Sequence, residues 1–434
     1  MKLLREPFNQ TRLGRRFRSI ALVEQLGPGL VTGAADDDPS GIATYSQAGA
    51  QFGYGILWTA VLTYPLMSSI QLVSAQIGRV TGCGLAKNMG ETLWRPAVLA
   101  LVALLFVANT INIGADLSAM AAAAELVAGR SDAHHLLLIG FALVSLLLQL
   151  FVPYRRYARY LKWLTLSLFS YVAVLLVVNV PWGEALAGMV WPNLPWQAAV
   201  TTIVAVFGTT ISPYLFFWQS AQEVEEVAAK GERPLARAPR EAPHELRRMR
   251  LDTFTGMAFS NLIALAIMIA TAATLHAHGK TDIATAAEAA EALRPVAGDF
   301  AFLLFALGIV GTGLLAVPVL AGSAAFAIGE ANGWKCGLEY KPWEAAGFYA
   351  VIGVATLLGI AFHWAGISAV KALYWSAVLN GVVAVPIMAA MMVVVSRHRV
   401  MGRFAGKGAL LAFGWTATAV MAAATLAMFA TWGS

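Results

Sequence analysis

The sequence predicts an all-α integral membrane protein of eleven transmembrane helices, arranged as two inverted five-helix repeats whose first helices are both broken. Three observations carry this expectation. Of 434 residues, 59% are hydrophobic and only 12% are charged, with a mean hydropathy of +0.67, against about 25% charged in soluble domains. Apolar runs long enough to cross a bilayer, roughly 17 to 25 residues each, recur along the whole chain. Lysine and arginine crowd into alternate connections, as the positive-inside rule requires.

The runs fall at about 22 to 50, 55 to 80, 96 to 128, 133 to 152, 158 to 181, 197 to 228, 252 to 276, 298 to 329, 343 to 362, 367 to 396 and 408 to 432. With a cytoplasmic N-terminus, all of the 30 basic residues except Arg130, Lys280, Arg294 and Lys371 lie on the cytoplasmic side. This places the chain in a cell inner (plasma) membrane as a multi-pass protein, N-terminus inside and C-terminus outside. The net charge of +6 and the pI near 9.3 then report topology and not nucleic-acid binding. Cys83 and Cys336 fall on cytoplasmic connections, where no structural disulfide is expected. The first run follows a basic tail, residues 1 to 21, but carries carboxylates and no convincing cleavage site, so it reads as a retained helix.

Residues 22 to 434 form one membrane domain. An Arg-, Pro- and Glu-rich connection at about 229 to 250 reads as a flexible linker. Repeat one covers about 22 to 181, repeat two about 197 to 396, and the helix at 408 to 432 is an addition. Inverted repeats with broken first helices are a pattern of secondary transporters, with the breaks meeting at the midplane.

The first helix contains Ala34-Ala35-Asp36-Asp37-Asp38-Pro39-Ser40-Gly41. A charge at the bilayer centre costs roughly 2.5 to 3.5 kcal/mol even on the lenient insertion scale, so three carboxylates here point to function. Pro39 disfavours helix at Asp38 and has no amide to donate, which interrupts the helix beside a carboxylate. Asp38 is therefore the first candidate cation ligand, the alternative being a helix-end cap. Neighbouring residues on a helix point about 100° apart, so Asp36 and Asp37 either share the ion or line the access vestibule. Helix six supplies the matching break, Phe207-Gly208-Thr209-Thr210-Ile211-Ser212-Pro213-Tyr214, with Ser212-Pro213 aligned to Asp38-Pro39. Carbonyls freed at such breaks are good ligands for a hard cation.

In helix three, Asn109, Asn112 and Asp116 share one face. Interhelical packing is the favoured role of both asparagines, whereas Asp116 is a buried carboxylate without an evident basic partner. Asn380 in helix ten is either an oxygen ligand or a packing residue. Gly311, Gly313 and Gly322 of helix eight serve close packing. No histidine stands near either break, and no nucleophile with a nearby base is recognisable, so an enzyme is not expected.

The run Gly27-Pro28-Gly29, Asp38-Pro39-Ser40-Gly41, Ala43-Thr44 and Gln47-Ala48-Gly49-Ala50-Gln51-Phe52-Gly53-Tyr54 resembles the first two helices of the Nramp family of divalent metal transporters. Ala115-Asp116-Leu117-Ser118, Gly313-Leu314 and Leu320-Ala321-Gly322 continue the likeness over most of the domain. The resemblance implies the LeuT-like fold and a metal site between helices one and six. Better-known members carry Asp-Pro-Gly-Asn and Met-Pro-His at the breaks. Here Gly41, Ser212 and Tyr214 stand in place of the asparagine, methionine and histidine, and Ala119 replaces a second helix-three carboxylate. The set lacks the soft thioether that suits transition metals and keeps hard oxygens, which suit reluctantly dehydrating Mg²⁺.

These departures resemble the Nramp-related magnesium transporter branch. They imply Mg²⁺, with Mn²⁺ besides, as a partly hydrated substrate, no resident cofactor and no proton coupling. On this reading Asp38 is the anionic ligand, the carbonyls of Ala35 and Thr209 and the Ser212 hydroxyl are neutral ones, and Gly41 supplies space. Asp36, Asp37, Asp116, Tyr214 and Asn380 line the ion path or support the ligands. The implied partners are the metal ion and the lipid bilayer, with no nucleic acid and no obligate protein. Alternatives are a proton-coupled Mn²⁺/Fe²⁺ importer, a sodium-coupled amino-acid transporter disfavoured by the carboxylates, and a membrane metal sensor that does not transport.

Overall fold

The computed structural model describes residues 28–129, 134–152, 164–362 and 366–432. The tail 1–21, Arg130, the basic stretch Arg155 to Lys162 and His363 lie outside the described residues. Everything described is helix, turn or loop. In chain order the helices are α1 (Pro28–Asp36), α2 (Pro39–Phe52), α3 (Trp58–Thr81), α4 (Leu85–Thr92), α5 (Arg95–Ala128), α6 (His134–Phe151), α7 (Phe169–Val177) and α8 (Trp182–Val190). There follow α9 (Trp196–Thr210), α10 (Pro213–Ala229), α11 (Ala242–Thr274), α12 (Ala286–Glu291), α13 (Ala301–Ala331), α14 (Ala346–Phe362), α15 (Ala369–Ser396) and α16 (Gly408–Thr431), with short turns at Arg294–Ala297 and His398–Met401.

Among the described residues seven helical stretches are long and apolar enough to cross a membrane, or eight if the pair Pro39–Ile56 and Trp58–Thr81, bent by 109°, counts as one span. The bend falls at Leu57, just after a 3-10 turn over Gly53–Ile56 that Gly53, with φ 54°, opens by ending α2. Shorter apolar helices occupy Leu166–Val177 and Ala346–Phe362.

Both expected breaks are present. α1 ends at Asp36 and α2 starts at Pro39, with Asp38 extended at φ −70°, ψ 169°. α9 ends at Thr210 and α10 starts at Pro213, with Ser212 extended at φ −79°, ψ 130°. In each case proline occupies the first helical position, where its missing N–H costs nothing.

Small residues set the packing around the breaks. A Cβ added to Gly33 of α1 would lie 2.4 Å from the Gly256 carbonyl oxygen of α11, and one on Gly208 of α9 would lie 2.1 Å from the Ala377 oxygen of α15. Backbones therefore touch, as small-residue helix contacts allow. Gly313 and Gly322 instead admit side chains: a Cβ on Gly313 would meet Met120 Sδ at 2.4 Å and one on Gly322 the Trp218 ring at 2.8 Å.

The expected flexible linker is instead pinned, and helix α11 begins ten residues before its apolar run, at Ala242. Leu235 N donates to Arg79 O and Ala236 N to Val80 O, both at 3.1 Å. Arg79 is 1% exposed and donates to Glu232 and Glu245 at 2.5 Å each. Arg248 pairs with Glu226 at 2.9 Å and Glu245 at 3.0 Å. Composition alone reads such a segment as mobile, but its acids answer the buried Arg79 of α3 and the half-buried Arg248 of α11.

Candidate metal site

Asp38 sits between the two half-helices of the first break and its two oxygens differ. Oδ1 accepts from Gly41 N and Ser40 Oγ, both at 2.7 Å, so it caps the exposed N–H groups that open α2. Oδ2 accepts from Tyr214 OH at 3.2 Å and Asn112 Nδ2 at 3.3 Å. These are long for such bonds. The Tyr214 hydroxyl also lies 3.4 Å from the Ala35 carbonyl oxygen, so it stands between two of the oxygens expected to hold a cation.

At the second break the Ser212 hydroxyl turns back and donates to the carbonyls of Gly208 and Thr209, each at 2.8 Å. The Thr209 hydroxyl reaches across to Ser40 Oγ at 3.4 Å, and Thr210 Oγ1 meets Tyr45 OH at 2.9 Å. Asp38, Thr209, Ser212 and Tyr214 are each at most 1% exposed.

Gly41 leaves less room than its size promises. A Cβ there would lie 3.3 Å from both Thr209 Oγ1 and Tyr45 Cε2, so these two side chains border the gap closely.

Asp36 and Asp37 do not face an open vestibule. Both are buried, and one hydroxyl, Ser260 Oγ of α11, donates to Asp36 Oδ2 at 2.6 Å and Asp37 Oδ1 at 3.0 Å. Asn109 packs helices, donating to Leu320 O at 2.9 Å and Ser323 Oγ at 2.8 Å. Asn112 does not share that role: it reaches Asp38.

Asp116 is fully buried, and among the described residues neither of its oxygens finds a hydrogen-bond partner; the same is true of the Asn380 amide. Asn380 belongs to the α15 turn that packs on Gly208. The roles of Tyr45 and Ser260 depend on partners distant in sequence, whereas Ser40 acts on Asp38 only two residues away, within the motif the sequence already marks.

Among the described residues no lysine or arginine pairs with Asp36, Asp37, Asp38 or Asp116, and no three His, Cys, Asp or Glu side chains converge. Four buried carboxylates without a basic partner call for positive charge from elsewhere. The polar partners of Asp38 are a hydroxyl, a backbone amide, a carboxamide and a phenol. Two broken helices facing each other inside an apolar helical bundle, with such a site between them, define a multi-pass membrane protein of the secondary-transporter class.

The family follows from the sequence. The family model described as "Nramp: Natural resistance-associated macrophage protein-like" matches residues 29–431, and the chain belongs to that family. It is 28% identical over 309 residues to the divalent metal cation transporter MntH of Verminephrobacter eiseniae, covering 69% of this chain and 67% of the relative. To the MntH of Yersinia enterocolitica it is 32% identical over 303 residues, covering 68% and 69%.

The fold is similar to a crystal structure of the Eremococcus coleocola manganese transporter in complex with an aromatic bis-isothiourea substituted compound. The TM-score is 0.70 at 15% identity, over 98% of this chain and 89% of that one. Mhp1, a nucleobase-cation-symport-1 family transporter in a closed conformation, gives a TM-score of 0.58 at 13% identity, over 94% and 92%.

Proposed function

We propose that this chain imports Mg²⁺, and Mn²⁺ with it, by alternating access, as a member of the Nramp-related magnesium transporter branch. The relatives named as divalent metal cation or manganese transporters support the broad substrate class. The observation that carries the finer reading is the donor set on Asp38: hydroxyl, amide and phenol groups surround it, and neither thioether nor imidazole is among its hydrogen-bond partners. The architecture in this reading has eleven spans, with helices one to five and six to ten as inverted repeats. The basic end that holds Arg79 faces the cytoplasm of a cell whose inner membrane the protein crosses.

The mechanism follows from the two oxygens of Asp38. Oδ1 keeps its cap on α2 whether or not an ion is present, which holds the carboxylate in place. An incoming cation displaces the weakly held Tyr214 hydroxyl from between Oδ2 and the Ala35 carbonyl and gathers Thr209 O from the second break. Ser212 Oγ gives its hydrogen to Gly208 or Thr209, so its lone pairs stay free for the ion or for a retained water. Asp36, Asp37 and Asp116 keep the path negative. Two charges moving inward across 100 mV gain about 4.6 kcal/mol, which drives uptake without a proton gradient.

The test is uptake into proteoliposomes containing fluorescent reporters of Mg²⁺, Mn²⁺, Ca²⁺ and internal pH. Mg²⁺ influx is expected without acidification and is lost in Asp38→Ala. No Mg²⁺ influx, or influx unchanged in the variant, overturns the reading. Asp116 favours a second reading, since a buried carboxylate with no partner is the natural carrier of a co-transported proton. Acidification with Mn²⁺ entry, abolished by Asp116→Asn, would establish it.

A further inference from the structure

We infer that the cavity between α3, α11 and the start of α16 binds the phosphate headgroup of an anionic phospholipid. It holds about 220 Å³ and is lined by Leu72, Leu246 and Leu410 together with Arg250 and Lys407. The inference does not depend on which ion the protein carries.

Its lining carries two cations and no carboxylate. Arg79, Lys230 and Arg248, on the same helices or the adjoining connection, are all ion-paired. Among the described residues Arg250 and Lys407 pair with no carboxylate, and both are exposed. Two cations facing one cavity without an acid between them attract an anion.

The wall selects an amphiphile over a soluble anion. Leu72 is buried with Ala75 and Met249 in a small apolar cluster apart from the main core, and Leu246 and Leu410 pack against it. The rim is fixed: Gln76 Nε2 donates to Phe404 O at 2.9 Å, Gly406 N donates to Val395 O at 2.8 Å, and the Arg403 guanidinium lies 5.0 Å over the Phe404 ring. A phosphodiester between Arg250 and Lys407 places its glycerol and first methylenes on Leu246 and Leu410. Basic pockets between membrane helices are suited to such headgroups. Because the pocket joins three helices, the bound lipid braces them together.

The experiment is native mass spectrometry of the full chain released from detergent micelles containing equal phosphatidylglycerol and phosphatidylcholine. Preferential retention of phosphatidylglycerol is expected, weakened about fivefold for each cation removed in Arg250→Gln and Lys407→Gln. Leu410→Trp fills the cavity while keeping both charges, and it too should remove the preference. Arg399→Gln, an exposed basic residue outside the pocket, should leave it intact. Equal retention of the two lipids overturns the inference, as does a preference that survives both Arg250→Gln/Lys407→Gln and Leu410→Trp. Displacement of the lipid by millimolar inorganic phosphate also overturns it, since that marks a site for soluble anions.

Discussion

At the first break the capping side chain reaches forward: Asp38 Oδ1 accepts from Gly41 N in the helix that follows. At the second it reaches back: Ser212 Oγ donates to Gly208 O and Thr209 O in the helix that precedes. The backbones are alike, each with one extended residue before a proline. What differs is the sign of the group that heals the gap. A carboxylate answers the positive end of α2 and keeps one oxygen for the centre, whereas a hydroxyl answers the negative end of α9 and surrenders its hydrogen. Charge therefore enters the site from one break only, and the other contributes neutral oxygens.

The sharpest way to break this comparison is Asp38→Asn, which keeps an oxygen for the Gly41 cap and deletes the charge. Mg²⁺ uptake should fall roughly a hundredfold, since even supporting groups around metal ligands are commonly worth 10- to 100-fold, while thermal stability in detergent changes little. Uptake within a few-fold of wild type would mean that the cap, and not the charge, is what the first break supplies. Ser212→Met tests the other break: the ratio of Cd²⁺ to Mg²⁺ affinity by isothermal titration should rise about tenfold, as a soft ligand replaces a hard one. The same change should lower stability by about 1 kcal/mol, because the Gly208 and Thr209 carbonyls lose their donor. An unaltered ratio would place Ser212 outside the coordination sphere. The smallest effect is expected from Tyr214→Phe. Removing two long hydrogen bonds should alter Mg²⁺ affinity by no more than about fivefold, and a complete loss of uptake would make the phenol a direct ligand.

Both breaks were legible in the sequence because proline and the residue before it act locally: Pro39 and Pro213 stop a helix wherever they stand. The family was legible for the same reason, since its motifs are contiguous. What could not be read was the set of partners that long-range packing supplies. Ser260 is more than two hundred residues from the Asp36-Asp37 pair it joins, and nothing near it in sequence marks it. Asn112 looked like its neighbour Asn109, and only the placement of α5 separates one that packs helices from one that reaches Asp38. The connection after α10 looked mobile because composition cannot reveal that Arg79 lies buried beneath it. The space that Gly41 leaves is likewise bounded by residues remote in sequence, Thr209 among them.

The contact of α1 with α11 has a mechanical consequence. α1 has nine residues, about 13 Å of rod at 1.5 Å per residue, and it ends at the Asp37-Asp38 joint. It meets α11 through Gly33, backbone against backbone, and is tied to it at both ends: Gly29 N donates to Asp252 Oδ2 at 2.8 Å, and Ser260 Oγ donates to Asp36 Oδ2 at 2.6 Å. A tilt of about 20° around that joint carries the far end roughly 5 Å, the width of a small hydrated ion's passage. The stub thus has the proportions of a lever latched by two hydrogen bonds, with its pivot next to the cargo.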